Sequence, residues 1–149
     1  MKILILGYGN PGRGDDALGP ALADAVEAKQ WQGVSVDTDY QLNIEYALDL
    51  PKYDIVIFAD ASVSCQEPFE FKRIEPSHEC ACTTHSVSPE SLLALTVDLN
   101  EKPPDAYVLA VRGYDFEFKE ALSDVAKDNL KAAIDFLDLF VREHREDRA

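Results

Sequence analysis

The sequence predicts an α/β protein built on a mainly parallel, twisted sheet. Short apolar runs of β type alternate with longer runs of helical period along the whole chain. Residues 54–59 form the most apolar run, which is typical of a central parallel strand covered on both faces. A glycine-rich loop joins the first apolar run to the first helical one. Right-handed crossovers between such elements place helices on both faces of the sheet, which predicts an α/β/α sandwich.

The periodicity predicts the elements in order. The predicted strands cover residues 2–6, 34–37, 54–59, 68–74 and 106–111, and the third is expected to end at Asp60. The first regular helix should begin between Ala17 and Pro20, because a proline ring clashes with the carbonyl four residues earlier. The pattern of residues 43–50 predicts a short helix that ends before Pro51. Ser88 is expected to cap the next helix, the last covers 119 to about 144, and residues 142–149 should fray.

The totals predict one soluble globular domain over residues 1–149. Hydrophobic residues make up 46% and charged residues 28% of the chain, and there is no repeat or linker. The net charge of -14 disfavours nucleic acid and anionic lipid as partners. The apolar start is too short for a signal peptide, and an odd cysteine count (Cys65, Cys80, Cys82) does not indicate a disulfide framework. We therefore expect a cytoplasmic protein.

Polar residues follow several predicted strands, where parallel sheets form their sites. These candidates are Asp15, Asp16, Asp39, Tyr40, Asp60, Ser62 and the loop of His85. Three classes of site are compatible with them.

A dinucleotide site is the first alternative, because residues 7–12 match G-x-G-x-x-G after a strand and Asp37 or Asp39 lies where a ribose-binding acid is found. Its mechanism requires a helix N-terminus immediately after the glycines. Here Asp15 and Asp16 intervene, and their negative charges would repel the phosphates.

A phosphoacceptor domain with magnesium is the second alternative, using Asp15, Asp16 and Asp60. The long glycine loop does not suit that design. No lysine follows the strand that ends near Val111, where Arg112 stands instead.

A metal-directed hydrolase is the third alternative. Two carboxylates from separate strand ends and one imidazole form a partial coordination sphere with positions open to substrate or water. Mixed oxygen and nitrogen ligands suit nickel or zinc.

The motifs together resemble a known family, the hydrogenase maturation proteases. The resemblance is carried, in this order, by Gly7-Tyr8-Gly9-Asn10, Gly14-Asp15-Asp16, Gly19-Pro20, Ala59-Asp60-Ala61 and Thr83-Thr84-His85. It implies an α/β/α sandwich of the phosphorylase/hydrolase-like type. It also implies an endopeptidase, acting as a monomer, that removes the C-terminal extension of a NiFe-hydrogenase large-subunit precursor after nickel insertion.

The resemblance also implies site residues. Asp16, Asp60 and His85 would form the catalytic, metal-contacting trio that engages the precursor's nickel, with zinc or another divalent ion as a substitute, and Asn10 would hold the loop. Residues 37–42 and Ala17 depart from the pattern of many members, which place Asp-Gly-Gly and glycine there.

The chemistry of cleavage is predicted to depend on the metal, because no nucleophile triad is evident. The metal would polarise the scissile carbonyl or lower the pKa of a water. Asp15 is the candidate to accept the water proton, with helix capping as its alternative role. A non-catalytic binding module is an alternative to the enzyme. A zinc site on His78, Cys80, Cys82 and His85 would compete with the trio for His85.

Overall fold

The computed structural model describes residues 1–78 and 87–146. Within these ranges the strands are β1 (Ile3–Tyr8), β2 (Val34–Asp39), β3 (Ile55–Ser62), β4 (Phe69–Ile74) and β5 (Asp105–Arg112). The α-helices are α1 (Leu18–Lys29), α2 (Pro89–Asp98) and α3 (Asp124–Glu146), and short 3-10 helices cover Gly14–Ala17, Ile44–Leu48 and Leu50–Lys52. The predicted alternation of strands and helices is confirmed.

The five strands form one sheet in the order β2-β1-β3-β5-β4. The three pairs that involve β1 or β3 are parallel, and β4 pairs antiparallel with β5 at one edge. The prediction of a mainly parallel sheet is therefore confirmed. β1 and β3 lie in the interior of the sheet, and their carboxyl ends are adjacent.

Helices cover both faces of the sheet and make the three layers that were predicted. One buried cluster joins the sheet to α1 and α3 and includes Ile5, Ile57 and Leu137. The other joins the opposite face to α2 and the 3-10 helices and includes Leu6 and Phe58. Burial of each such side chain contributes about 1.5–3 kcal/mol. No helix among the described residues is long and apolar enough to cross a membrane.

Two predicted ends of elements are wrong. β3 does not end at Asp60 but continues to Ser62, because it stays paired with β5 through Arg112. The chain from Arg142 to Arg145 does not fray but belongs to α3, where Arg142 Nε donates to Asp138 Oδ1 at 3.0 Å.

Two helix boundaries also differ. The segment 43–50 is not one helix stopped by Pro51; Pro51 lies inside a second 3-10 turn, where the first positions of a helix tolerate proline. α3 begins at Asp124 rather than 119, because contacts with the Asp15 carboxylate hold the preceding segment. Ser88 caps α2 as predicted and forms a reciprocal pair with Ser91.

Candidate functional site

The candidate site lies at the carboxyl ends of β1 and β3. Asp16 belongs to the 3-10 turn Gly14–Ala17 that links the glycine loop to α1, and Asp60 lies in the last part of β3. The structure brings these two predicted site residues together at one edge of the sheet, where the charge of Asp16 acts on Asp60. The third member of the predicted trio, His85, lies outside the described residues.

Glycines allow α1 to approach the sheet main chain to main chain. A Cβ on Gly7 would overlap the carbonyl of Gly19. A Cβ on Gly19 would overlap the carbonyls of Tyr8 at the end of β1 and of Ala59 in β3. The first turn of α1 therefore rests directly on the two strand ends, and this contact fixes the turn that carries Asp16 relative to Asp60.

The glycine loop presents Asp16 through a short network of hydrogen bonds. The backbone N–H of Asn10 donates to Asp16 Oδ2 at 2.8 Å. The side chain of Asn10 in turn accepts from the backbone N–H of Gly12 at 2.8 Å, so Asn10 holds the loop as predicted. Asp16 remains partly exposed and its carboxylate is accessible to a ligand.

Asp60 is the carboxylate whose surroundings perturb it most among those near the strand ends. Burial raises its pKa, and the negative charge of Asp16 adds to that effect, while hydrogen bonds from the Ala61 backbone and the Tyr8 hydroxyl oppose it. The net result is a pKa of about 7. Oδ1 of Asp60 accepts from the Ala61 N–H at 2.8 Å. Asp60 is therefore poised between its neutral and charged forms near neutral pH.

Tyr8 and Glu90 belong to the same site, although neither is among the candidate site residues predicted from the sequence. Burial raises the pKa of the Tyr8 hydroxyl, and the negative charges of Asp60 and Glu90 raise it further. Tyr8 is thus a neutral donor next to Asp60. The period of two along β1 places residue 8 on the face of Leu4 and Leu6, and this signal alone predicts that Tyr8 points toward the α2 layer.

Asp15 has a different function from the one predicted for it. Its side chain is 0% exposed. It accepts hydrogen bonds from the N–H groups of Tyr114 (2.7 Å), Asp115 (3.0 Å) and Ser123 (2.7 Å), and from the Ser123 hydroxyl (2.7 Å). Burial acts to raise the pKa of Asp15, but these hydrogen bonds outweigh it and hold the pKa below its usual range. A buried carboxylate with four donors is a poor proton acceptor, so the prediction of Asp15 as general base is wrong.

Asp15 instead holds the segment between β5 and α3 against the glycine loop. The backbone supports this contact: the N–H of Asp15 donates to the Asp115 carbonyl at 2.7 Å, and that of Gly14 donates to the Lys119 carbonyl at 2.8 Å. The turn that carries Asp16 is therefore fixed from both sides, by the strand ends and by this segment.

The donor set of the site fits a divalent cation. Within the described residues no group of three or more His, Cys, Asp or Glu side chains is placed to hold a metal ion. Asp16 and Asp60 could nevertheless offer two carboxylate oxygens from separate elements. Because the negative charge of Asp16 disfavours ionisation of Asp60, a cation bound between them would relieve the repulsion.

A cleft of about 310 Å³ adjoins the site between the loops that follow β1 and β2. Gly9, Pro20 and Asp39 contribute to its wall. The Asp39 carboxylate accepts from the Tyr46 hydroxyl at 2.9 Å and from the Asn43 amide at 3.3 Å. A ribose would have to compete with both donors, which weighs against the dinucleotide alternative.

The proposed zinc cluster falls mostly outside the described residues, because Cys80, Cys82 and His85 lie there. His78 is described, and its Nε2 lies 3.4 Å from Asp98 Oδ1 at the end of α2. That alternative site stays a prediction.

Comparisons with protein-family models and with curated protein sequences give no match. Solved structures do match. The hydrogenase maturating endopeptidase HybD from E. coli is similar with a TM-score of 0.76 and 24% identity, covering 97% of this chain and 94% of that one. The NiFe-hydrogenase maturation protease HycI from Thermococcus kodakarensis KOD1 has a TM-score of 0.71 and 22% identity, covering 91% and 89%.

A hydrogenase 2 maturation peptidase from Thaumarchaeota archaeon SCGC_AB-539-E09 is also similar, with a TM-score of 0.68, 23% identity and coverage of 92% of this chain and 96% of that one. These likenesses extend over nearly the whole of each chain. The chain therefore has the hydrogenase maturation protease fold.

Proposed function

We propose that this protein is an endopeptidase that removes the C-terminal extension of a NiFe-hydrogenase large-subunit precursor once nickel has been inserted. The proposal rests on one observation above all. The protein has the fold of hydrogenase maturation endopeptidases. Near its adjacent strand ends lie the partly exposed Asp16 and Asp60, whose pKa is raised to about 7 in part by the charge of Asp16. Perturbed carboxylates of this kind mark functional sites.

In this proposal Asp16, Asp60 and His85 contact the nickel of the precursor, which is part of the substrate, and zinc or another divalent ion substitutes for it. Bound nickel supplies the Lewis acidity that activates the scissile carbonyl or a water. The chain's own residues orient the substrate: Asn10 holds the Asp16 loop, and the Tyr8 hydroxyl donates to Asp60.

The selectivity for loaded precursor follows from the same charges. Without a cation, the negative charge of Asp16 opposes the ionisation of Asp60. A precursor that carries nickel brings the compensating positive charge, whereas an empty one brings none. We further propose that the enzyme acts as a monomer in the cytoplasm, where the precursor is its partner.

The direct test is the intact mass of a precursor after incubation with this protein. Nickel-loaded and nickel-free precursors are compared, using wild-type protein and the variants Asp16→Asn and His85→Ala. Asp24→Asn serves as the matched control, because Asp24 is an exposed carboxylate on α1. We expect loss of a C-terminal peptide only with nickel, and only with wild-type protein and the control.

Two results would overturn the proposal. If no matched, loaded precursor is cleaved, the protein is a binding module, and titration with a dinucleotide becomes the next experiment. If His85→Ala or Asp16→Asn cleaves at the normal rate, the assignment of the metal-contacting trio is wrong even though the protein is a protease.

A further inference from the structure

Arg112 is a cation close to the candidate site. It is the last residue of β5 and pairs in register with Ser62 of β3. Side chains alternate along β5, so Arg112 lies on the same face of the sheet as Ala110 and Val108. These two residues pair in register with Asp60 and Phe58 of β3. Arg112 and Asp60 therefore share the face on which Phe58 packs. One strand spacing across and two residues along place their Cα atoms roughly 8 Å apart.

The main chain and the side chain of Arg112 are both held in place. Its N–H donates to the Pro68 carbonyl at 3.2 Å. Its Nη1 donates to the Cys65 carbonyl at 2.7 Å. The Cζ atom lies 5.3 Å from the centre of the Tyr114 ring, and the Tyr114 hydroxyl donates to Glu67 and accepts from the Asn129 amide. The guanidinium is therefore preorganised.

The hydrogen-bonding capacity of this guanidinium is only partly used. Nε of Arg112 is buried and has no hydrogen-bond partner, a condition that no other buried side-chain nitrogen or oxygen among residues 1–78 and 87–146 shares. In the same ranges no carboxylate lies within ion-pair distance of Arg112, whereas Arg73 and Arg142 each pair with an aspartate at 2.9–3.0 Å. Glu67 is bonded to Tyr114 instead.

We infer that Arg112 is a specificity residue that binds a carboxylate of the precursor peptide at the guanidinium edge formed by Nε and Nη2. The inference rests on the proposed function. Arginine presents two parallel N–H groups along this edge, and a carboxylate accepts both. Nε is covered in the free protein, so a bound carboxylate supplies the acceptor that Nε lacks only after the atoms that cover Nε move aside.

The surrounding charges explain why one carboxylate would be selected. Asp16 lies in the turn after the glycine loop, Asp60 lies on β3, and Glu90 lies in the first turn of α2; their negative charges repel acidic groups. Arg112 lies on β5, on the side of β3 that is away from β1. A peptide with one carboxylate is thereby oriented with that group toward β5, which sets the direction in which the chain crosses the strand ends.

The test varies both partners. Nickel-loaded precursor is prepared in its natural form, with a C-terminal amide, and with each Asp or Glu near the cut replaced by Asn or Gln. Wild-type protein is compared with Arg112→Gln and Arg112→Lys, and KM and kcat are measured separately. Arg142→Gln is the matched control, since Arg142 is an exposed arginine on α3.

We expect one change in the precursor to raise KM for wild-type protein at least tenfold with little change in kcat. If the C-terminal amide raises KM, the terminal carboxylate is the group that Arg112 binds. If a side-chain replacement raises KM, the replaced Asp or Glu is that group. Arg112→Gln should show the same rise with natural precursor and no further rise with the altered one. Arg112→Lys, which keeps the charge but not the paired donors, should fall between.

The inference is overturned if wild-type protein cleaves all precursor forms with the same KM, a result that does not depend on any variant folding. It is also overturned if Arg112→Gln raises KM equally for natural and altered precursors. Both results leave cleavage by wild-type protein intact and so spare the proposed function. Failure of wild-type protein to cleave any loaded precursor overturns both.

Discussion

Asp15 and Asp16 are consecutive in the sequence and opposite in their surroundings. Asp15 is fully buried and accepts four hydrogen bonds from the segment before α3. Asp16 is partly exposed, accepts one from Asn10, and acts on the charge of Asp60. Both lie in a 3-10 turn, where successive side chains point about 120° apart. One turn thus serves the structure with one carboxylate and the site with the next.

The direction of the pKa shift separates structural from functional carboxylates in this protein. Hydrogen bonds to Asp15 lower its pKa and stabilise its charge. Burial and a like charge raise the pKa of Asp60, which leaves its charged form under-stabilised until a ligand arrives. A carboxylate already satisfied within the fold has little affinity left for a metal.

The largest effect is expected at Asp15. Asp15→Asn turns an amide NH₂ toward backbone donors and leaves some of them buried without an acceptor, which should lower the free energy of unfolding by about 3–5 kcal/mol. Urea denaturation measures it. Ser123→Ala, which removes one donor of the four, should cost about 1 kcal/mol. A loss below 1 kcal/mol for Asp15→Asn would show that the contact is not structural.

Replacing Asp60 should change the free energy of unfolding in the opposite direction. Its pKa of about 7 lies above the unfolded value, so between pH 4 and 7 the folded state binds the proton more tightly, and stability falls as pH rises through this window. Asp60→Asn removes that penalty and should raise the free energy of unfolding at pH 8 by about 2–4 kcal/mol in metal-free protein.

The Asp60 experiment compares urea denaturation of wild type and Asp60→Asn at pH 4 and pH 8 with a chelator present. The two proteins should differ little at pH 4 and most at pH 8. A difference that does not change with pH would mean that the Asp60 carboxyl ionises normally and that its pairing with Asp16 is weak.

Asp16 should show the smallest effect on stability. Asp16→Asn keeps an oxygen that can accept from the Asn10 N–H, and its side chain is partly exposed, so the free energy of unfolding should change by less than about 1 kcal/mol. Thermal denaturation beside Asp24→Asn measures it. A large loss would place Asp16 with Asp15 as a structural residue and erase the contrast between them.

Periodicity predicted the element order, and strand ends indicated that Asp15, Asp16 and Asp60 lie near the same edge of the sheet, because these are local signals. The choice of Asp16 and Asp60 as site residues came from the family resemblance and stays a prediction. Sequence reasoning failed for Asp15, whose partners lie 99–108 residues away in the sequence. It also stopped β3 at Asp60, since a polar residue resembles a strand end unless the pairing with β5 is known. His85 was predicted from the family resemblance and stays a prediction.

The main-chain contact between Gly7 and Gly19 has a consequence for divergence. No side chain separates Gly19 at the start of α1 from Gly7 of β1, so the spacing of the two site carboxylates is set by a main-chain contact as well as by the core side chains. Substitutions that repack the two apolar layers can accumulate while that contact is kept. Chains of low overall identity can therefore preserve the same geometry at this edge of the sheet, provided that the two positions stay without a Cβ.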